Sequence, residues 1–184
     1  SGDVLYPGAY ELPMGTPLST LINEYGGGML LGKNLKAVFT GGPSNTLLTP
    51  KDLDVPLDYE SVRERQSSLG TGAMIVISEG TGIVKRITEY VSFFAHSSCG
   101  QCPPCKTGTH YAALLLNKID TGQGTRADLD TLVNLTKILP KSVRRHRSLI
   151  TSIRRLVEPD PENRHTKPSL EKNRLFIPPV LVTR

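Results

Sequence analysis

Residues 98–108 run Ser-Cys-Gly-Gln-Cys-Pro-Pro-Cys-Lys-Thr-Gly and contain all three cysteines of the chain, Cys99, Cys102 and Cys105. Three thiols this close together on a turn-rich segment can reach one soft metal centre, and iron–sulfur clusters are commonly held this way. Zinc usually takes four ligands from paired motifs, and no second Cys-x2-Cys follows here. A disulfide would leave the third thiol unpaired. The spacing therefore favours an iron–sulfur cluster, with zinc and a purely structural role as alternatives.

Helical patterns flank this cysteine segment on both sides. Apolar residues recur at helical spacing over 87–94 before it and over 111–119 after it. A third stripe covers 129–139, behind a Thr-x-x-Asp sequence at 125–128 that resembles a helix-start box with Asp in place of Glu. Residues 143–157 can form one more helix. The second half is therefore predicted to be a small four-helix bundle that carries the cysteine-rich loop.

The first 80 or so residues combine strand and helix patterns. Residues 4–12 contain two short strand-like stretches around a Pro-Gly turn signal and predict a hairpin. A helix is predicted over 16–25, a strand over 35–39 and a loop over 44–58. Residues 73–77 are apolar on both faces and predict a central strand. This order is typical of a β-grasp (ubiquitin-like) module, so the fold class is predicted to be α+β.

The end of the chain differs in composition from both halves. From Pro159 onward prolines and charges dominate, which predicts an extended tail that needs a partner surface to be ordered. We therefore expect three parts: a β-grasp module at 1–84, a helical iron–sulfur-binding domain at 85–158 and the tail at 159–184.

Charge is distributed unevenly, with a net −3 over residues 1–98 and +8 over 99–184. A basic half can bind nucleic acid, an acidic partner or anionic lipid, or can simply be a solvated face. The single cysteine motif and the aromatic content of 5% argue against a zinc-stabilised module that binds nucleic acid. No apolar run approaches 18 residues and no signal-peptide pattern is visible, so the clustered thiols predict a reducing compartment.

Several segments resemble, in the same order, the FMN- and NADH-binding flavoprotein subunit of respiratory complex I and related NAD-linked dehydrogenases. They are residues 7–16, 36–42, 68–72, 94–102 and 118–124. The resemblance covers roughly residues 1–139. It implies a β-grasp module of the SLBB type followed by a helical domain that carries a four-iron, four-sulfur (4Fe-4S) cluster. In that family the cluster takes electrons from FMN and passes them to the next cluster.

The resemblance implies an electron-transfer module of a complex I-like NADH dehydrogenase assembly, peripheral at the inner membrane in the mitochondrial matrix or bacterial cytoplasm. Its partners would be other subunits of the assembly, and nucleic acid would not be among them. No glycine-rich strand–loop–helix unit for FMN and NADH occurs in these 184 residues, so both are expected on a missing domain or a partner. We therefore expect no hydride-transfer site on this chain alone. Whether it is part of an enzyme or a redox-silent structural or assembly subunit stays open.

The fourth cysteine of the family, about forty residues after the third, has no counterpart in this chain. Arg145 or His146 falls at that place. Imidazole can replace thiolate on an iron, so His146 is a candidate fourth ligand, although a solvated histidine among arginines is the alternative. Without a fourth ligand the centre would be a three-iron (3Fe-4S) cluster or an incomplete site. Neither His96 nor His110 is expected to be a ligand.

Overall fold

The computed structural model describes residues 1–30 and 32–142, with side chains for residues 1–30 and 32–137. The chain divides into two compact units, and the boundary lies between Thr81 and Gly82. The first unit contains a small sheet and short helices, and the second contains three long helices. The predicted α+β class is confirmed.

A three-stranded antiparallel sheet organises the first unit. Its strands are β1 (Leu35–Phe39), β2 (Leu47–Leu48) and β3 (Ile75–Ser78), in the order β2-β1-β3. The predicted strand over 35–39 is confirmed, but β1 rather than β3 is the middle strand. The expectation of a central strand at 73–77 is therefore wrong. It failed because the second neighbour of β3 is an isolated bridge to Gly2 and not another strand.

The N-terminal residues run beside β3 and do not form the hairpin predicted over 4–12. The Asp3 N–H donates to the Val76 carbonyl, and the Val76 N–H donates to the Ser1 carbonyl, both at 2.9 Å. Residues 7–13 contain no strand. The hairpin prediction is wrong because these strand-like residues find their hydrogen-bond partners more than 70 residues along the chain.

Short helices complete the first unit. Helix α1 (Leu18–Thr20) continues as a π-helical turn over Leu21–Tyr25, which matches the helix predicted over 16–25. A 3-10 turn at Pro50–Asp52 lies within the segment predicted as a loop, and helix α2 (Tyr59–Glu64) follows it.

The core of this unit combines side chains from the N-terminal segment, the helices and all three strands. Its fully buried members include Leu18, Val38, Leu48 and Val62. Burial of such side chains is the main favourable contribution to the stability of the unit.

Three helices form the described part of the second unit. They are α3 (Ile83–His96), α4 (Pro103–Asp120) and α5 (Arg126–Ser142), and α4 packs against both α3 and α5. The buried residues of α3 recur every four positions, at Ile83, Ile87, Val91 and Ala95. This spacing places them on one face of the helix, as the sequence predicted.

The predicted fourth helix over 143–157 and the predicted tail over 159–184 lie outside the described residues. The four-helix bundle therefore stays a prediction. Within the described ranges, none of the helices combines the length and the apolar character that a membrane span requires.

Candidate metal centre

The turn between α3 and α4 carries the three cysteines. Helix α3 ends at His96, and the Ser97 N–H donates to the Phe93 carbonyl at 2.9 Å. Helix α4 begins at Pro103, eight residues before the apolar stripe that predicted it. Pro103 and Pro104 occupy the first two helical positions, where a missing N–H removes no intrahelical hydrogen bond. A Pro-Pro pair that suggests a loop in the sequence thus suits the start of this helix.

Two of the cysteines are positioned by the first turn of α4. Cys102 is the N-cap residue, and Cys105 is the third residue of the helix, so both lie on the same side of the turn. Cys105 is 7% exposed and packs against Cys102 and against Leu135 of α5. The structure therefore brings together two of the three predicted ligands under an apolar cover.

Cys99 lies on the loop before this helix turn and is exposed. Only Gly100 and Gln101 separate it from Cys102, and neither belongs to a helix or strand. Gly100 has a φ of +74°, a left-handed conformation that glycine adopts without steric cost and that turns the chain after Cys99. The third thiol is thus held on a short turn next to the packed pair.

The surroundings of the cysteines favour negatively charged sulfur. The N-terminus of α4 carries the positive end of the helix dipole, which stabilises thiolates placed there. The Lys106 N–H donates to the Cys102 carbonyl at 2.9 Å, and the Thr109 hydroxyl donates to the Cys105 carbonyl at 2.6 Å. The Ser98 hydroxyl lies 3.5 Å from Cys105 Sγ. These contacts fix the backbone that carries the two packed sulfurs.

The donor set fits an iron–sulfur cluster in kind, because thiolates are the usual ligands of such clusters. It fits in position for Cys102 and Cys105. In the described part of the chain, no three Cys, His, Asp or Glu side chains lie close enough together to hold a metal ion. Cys99 would therefore have to approach the packed pair for all three thiols to share one centre.

The histidines that were considered from the sequence lie apart from the packed pair. His96 is the last residue of α3, and His110 lies on α4; both are exposed. His146 lies outside the described residues. Sequence reasoning did not identify Ser98, since its contact with Cys105 arises only when α3 and α4 fold back on each other.

Two known families match segments of the chain. Residues 85–144 match the family described as the NADH-ubiquinone oxidoreductase-F iron-sulfur binding region, and residues 1–46 match the SLBB domain. The first match contains the whole α3–α4 turn with its three cysteines. The second covers the N-terminal segment, α1 and β1.

Similar curated proteins include subunits of two NADH-quinone oxidoreductases. The one from Mycobacterium bovis is 42% identical over 143 residues, which is 77% of this chain and 32% of that protein. The one from Streptomyces coelicolor is 45% identical over 132 residues, 72% of this chain and 29% of that protein. The NADP-reducing hydrogenase subunit HndC of Solidesulfovibrio fructosivorans is 42% identical over 139 residues, 76% of this chain and 28% of that protein.

Among solved structures, an NAD+-reducing NiFe hydrogenase in the H2-reduced state is similar, with a TM-score of 0.74 and 32% sequence identity. The match covers 85% of this chain and 26% of that chain. The chain spans about one third of the length of the curated relatives it matches. It carries an SLBB domain followed by an iron–sulfur binding region, and it corresponds to the C-terminal portion of the NADH-ubiquinone oxidoreductase-F family.

Proposed function

We propose that this chain is an electron-transfer module of a complex I-like NADH dehydrogenase assembly, in which Cys99, Cys102 and Cys105 bind one iron–sulfur cluster. The cluster is of the 4Fe-4S type expected from the family, or a 3Fe-4S or incomplete form of it. The observation that supports this most directly is the contact between Cys102 and Cys105 at the start of α4, inside the matched iron–sulfur binding region. Bound there, the cluster would accept and release one electron at a time.

The residues around the cysteines suit such a role. Cys105 and Cys102 are held by the backbone of α4, and Leu135 covers them from α5, so one side of the centre is shielded from water. Cys99 faces solvent on the other side. A centre that is shielded on one side and open on the other can be held rigidly and still exchange electrons with a neighbouring carrier.

The domain organisation we propose is a β-grasp (SLBB-like) module at 1–84, a helical iron–sulfur-binding domain at 85–158 that completes a four-helix bundle, and an extended tail at 159–184. The SLBB match over 1–46 and the unit boundary after Thr81 support the first division. His146 remains the candidate fourth ligand.

The partners we propose are the other subunits of the assembly, including the part that binds FMN and NADH. Relatives that are named as subunits of NADH-quinone oxidoreductases and of a hydrogenase support this. The module would lie at the inner membrane without crossing it, in the mitochondrial matrix or the bacterial cytoplasm, and it would not bind nucleic acid.

The decisive experiment is anaerobic cluster assembly on the purified chain, followed by iron and sulfide analysis and by EPR of the reduced protein. We expect about three to four irons per chain and a visible absorption band that each of Cys99→Ser, Cys102→Ser and Cys105→Ser bleaches. His96→Ala removes an exposed side chain beside the loop and should leave the band intact. Zinc, or no metal at all, in the wild-type protein would contradict the proposal.

The fourth ligand is tested with variants of His146. If this imidazole binds iron, His146→Cys should lower the reduction potential while keeping the cluster, because an anionic ligand replaces a neutral one. If His146 is a solvated side chain, His146→Ala should leave the EPR signal unchanged. The iron count and EPR signal of the wild type then distinguish a 4Fe-4S cluster from a 3Fe-4S cluster.

A redox-silent structural or assembly subunit is the second candidate function. The absence of a fourth cysteine from the sequence favours it, as does the absence of a three-ligand group among the residues that the structure describes. This alternative predicts that iron-free chain binds a recombinant FMN-binding partner as tightly as iron-loaded chain does. In either case we expect the purified chain alone neither to bind NADH nor to reduce a dye with it.

A further inference from the structure

We infer that Ser98 is a positioning residue of the metal centre, whose hydroxyl donates a hydrogen bond to the thiolate of Cys105 when that thiolate holds iron. The inference rests on the proposed function for the presence of iron. It names a residue of this chain that contacts a ligand without being one.

The first observation is the contact itself. Ser98 Oγ lies 3.5 Å from Cys105 Sγ, a separation typical of hydrogen bonds to sulfur, whose atomic radius is larger than that of oxygen. Both side chains are protected from solvent, since Cys105 is buried and Ser98 is half-buried. A hydrogen bond in such surroundings competes little with water.

The second observation gives the direction of the bond. The Gly100 N–H donates to Ser98 Oγ at 3.3 Å, so the hydroxyl oxygen already accepts one hydrogen bond. A thiolate bound to a metal carries no proton and can only accept. The Ser98 O–H is therefore the donor in the contact with Cys105, and the three groups form a short relay from Gly100 through Ser98 to the sulfur.

The third observation is where the contact lies in the fold. The Ser98 N–H donates to the Ala95 carbonyl at 3.3 Å, which ties this residue to the end of α3, whereas Cys105 belongs to α4. The hydrogen bond thus crosses from one helix end to the other. Because Cys99 follows Ser98 directly, the same contact also sets where the exposed third thiol begins.

Two consequences follow for a bound cluster. A hydrogen bond to a ligating sulfur disperses its negative charge and stabilises the reduced form, so loss of the Ser98 hydroxyl should lower the reduction potential. Loss of the contact should also loosen the loop that carries Cys99 and reduce the amount of cluster retained.

The experiment compares Ser98→Ala, Ser98→Thr and the neighbouring Ser97→Ala in the full-length chain after anaerobic cluster assembly. Ser97 is exposed and serves as the matched control. We expect Ser98→Ala to lower the reduction potential, Ser98→Thr to keep it near the wild-type value because the hydroxyl is retained, and Ser97→Ala to leave it unchanged.

A second measurement does not need iron. In a Cys99→Ser, Cys102→Ser background, only Cys105 contributes an S–H stretching band to the infrared spectrum. Adding Ser98→Ala should shift this band, whereas adding Ser97→Ala should not, provided that circular dichroism shows all variants folded.

The outcomes separate the two proposals. Equal potentials for Ser98→Ala and Ser97→Ala in cluster-loaded protein overturn the role of Ser98, while the proposed function stands. A wild-type chain that takes up no cluster contradicts the proposed function. The infrared band then decides on the contact, and an unshifted band overturns this inference as well.

Discussion

Lys118 on α4 and Asp128 on α5 form an ion pair in which Lys118 Nζ lies 2.8 and 3.0 Å from the two carboxylate oxygens. The same carboxylate accepts hydrogen bonds from the N–H and the hydroxyl of Thr125, at 2.7 and 2.6 Å. One side chain therefore caps the start of α5 and joins it to α4. Since α5 supplies Leu135, this pair helps to hold the helix that covers the cysteines.

This ion pair predicts a contribution to stability that is lost in acid. Hydrogen bonds from Lys118 and Thr125 lower the pKa of Asp128 from 3.8 to about 2. A carboxyl whose pKa is lowered on folding stabilises the chain above its unfolded pKa, and this contribution is lost as the pH falls from about 4 to about 2. We expect Asp128→Asn to lower the urea midpoint at pH 7, and the difference from wild type to shrink between pH 4 and pH 2.

The control is Asp130→Asn, which removes an exposed ion pair with Arg126 one turn along the same helix. It should change the midpoint much less, because exposed pairs contribute little. A wild-type advantage over Asp128→Asn that stays constant down to pH 2 would contradict the prediction.

Gly41 and Gly42 allow steric crowding to be separated from backbone strain. Both have positive φ values, +80° and +99°. A Cβ at Gly41 would collide with the Leu69 carbonyl and the Asn45 side-chain amide, whereas no described atom lies within 4 Å of a Cβ at Gly42. We expect urea denaturation to show a loss of about 3 kcal/mol for Gly41→Ala and about 1 kcal/mol for Gly42→Ala. Equal losses would mean that the loop moves to accommodate the methyl group.

Asp3 anchors the N-terminal segment to the end of β3. Its carboxylate accepts hydrogen bonds from the Ser78 N–H, the Ser78 hydroxyl and the Thr81 hydroxyl, at 2.9, 2.7 and 3.2 Å. Burial raises the pKa of Asp3, but these hydrogen bonds and the nearby Lys33 charge outweigh it and lower the pKa below 3.8. The stabilisation is therefore present at neutral pH and is lost in acid.

We expect Asp3→Ala to cost about 1–3 kcal/mol in urea unfolding at pH 7, because Ser78 is fully buried and its donors would lose their acceptor. Asp54→Ala is the control, since Asp54 is 77% exposed and lies 3.9 Å from Arg65. Its cost should stay within about 0.5 kcal/mol. Similar losses for the two variants would show that the Asp3 contacts contribute little.

The three thiols should differ in their reaction with an alkylating agent in metal-free chain. Cys99 is exposed, Cys102 is partly buried and Cys105 is buried. We expect mass spectrometry after a short pulse of iodoacetamide to find Cys99 modified first and Cys105 last, with a difference of about tenfold or more between them. In denaturant the three rates should converge. A Cys105 that reacts as fast as Cys99 in folded protein would contradict the packing of α5 over it.

The sequence predicted those elements whose signals are local. β1 was placed correctly because a short apolar run ends at a Gly-Gly-Pro turn. The Thr125–Asp128 helix-start box forms as predicted, since both partners lie within one turn. The start of α4 at Pro103 was placed too late because prolines at a helix start resemble those of a loop.

The elements that the sequence did not predict depend on distant contacts. β2 is only two residues long, and its pairing with β1 defines it as a strand. The N-terminal segment pairs with Val76, which no local pattern reveals. At the candidate site, spacing predicted the cysteines as ligands. It could not show that Cys102 and Cys105 pack together while Cys99 stays exposed, because that depends on how three helices close around the turn.

The pairing of residues 1–4 with β3 also affects how the sheet can meet other molecules. An unpaired strand edge is a template for association with a foreign strand, and proteins usually protect such edges. Here β3 is hydrogen-bonded on both sides, by β1 and by the N-terminal residues, and β2 on the far side is only two residues long. Removing residues 1–4 would uncover the Val76 edge, so a truncated chain should aggregate through strand addition more readily than the intact one.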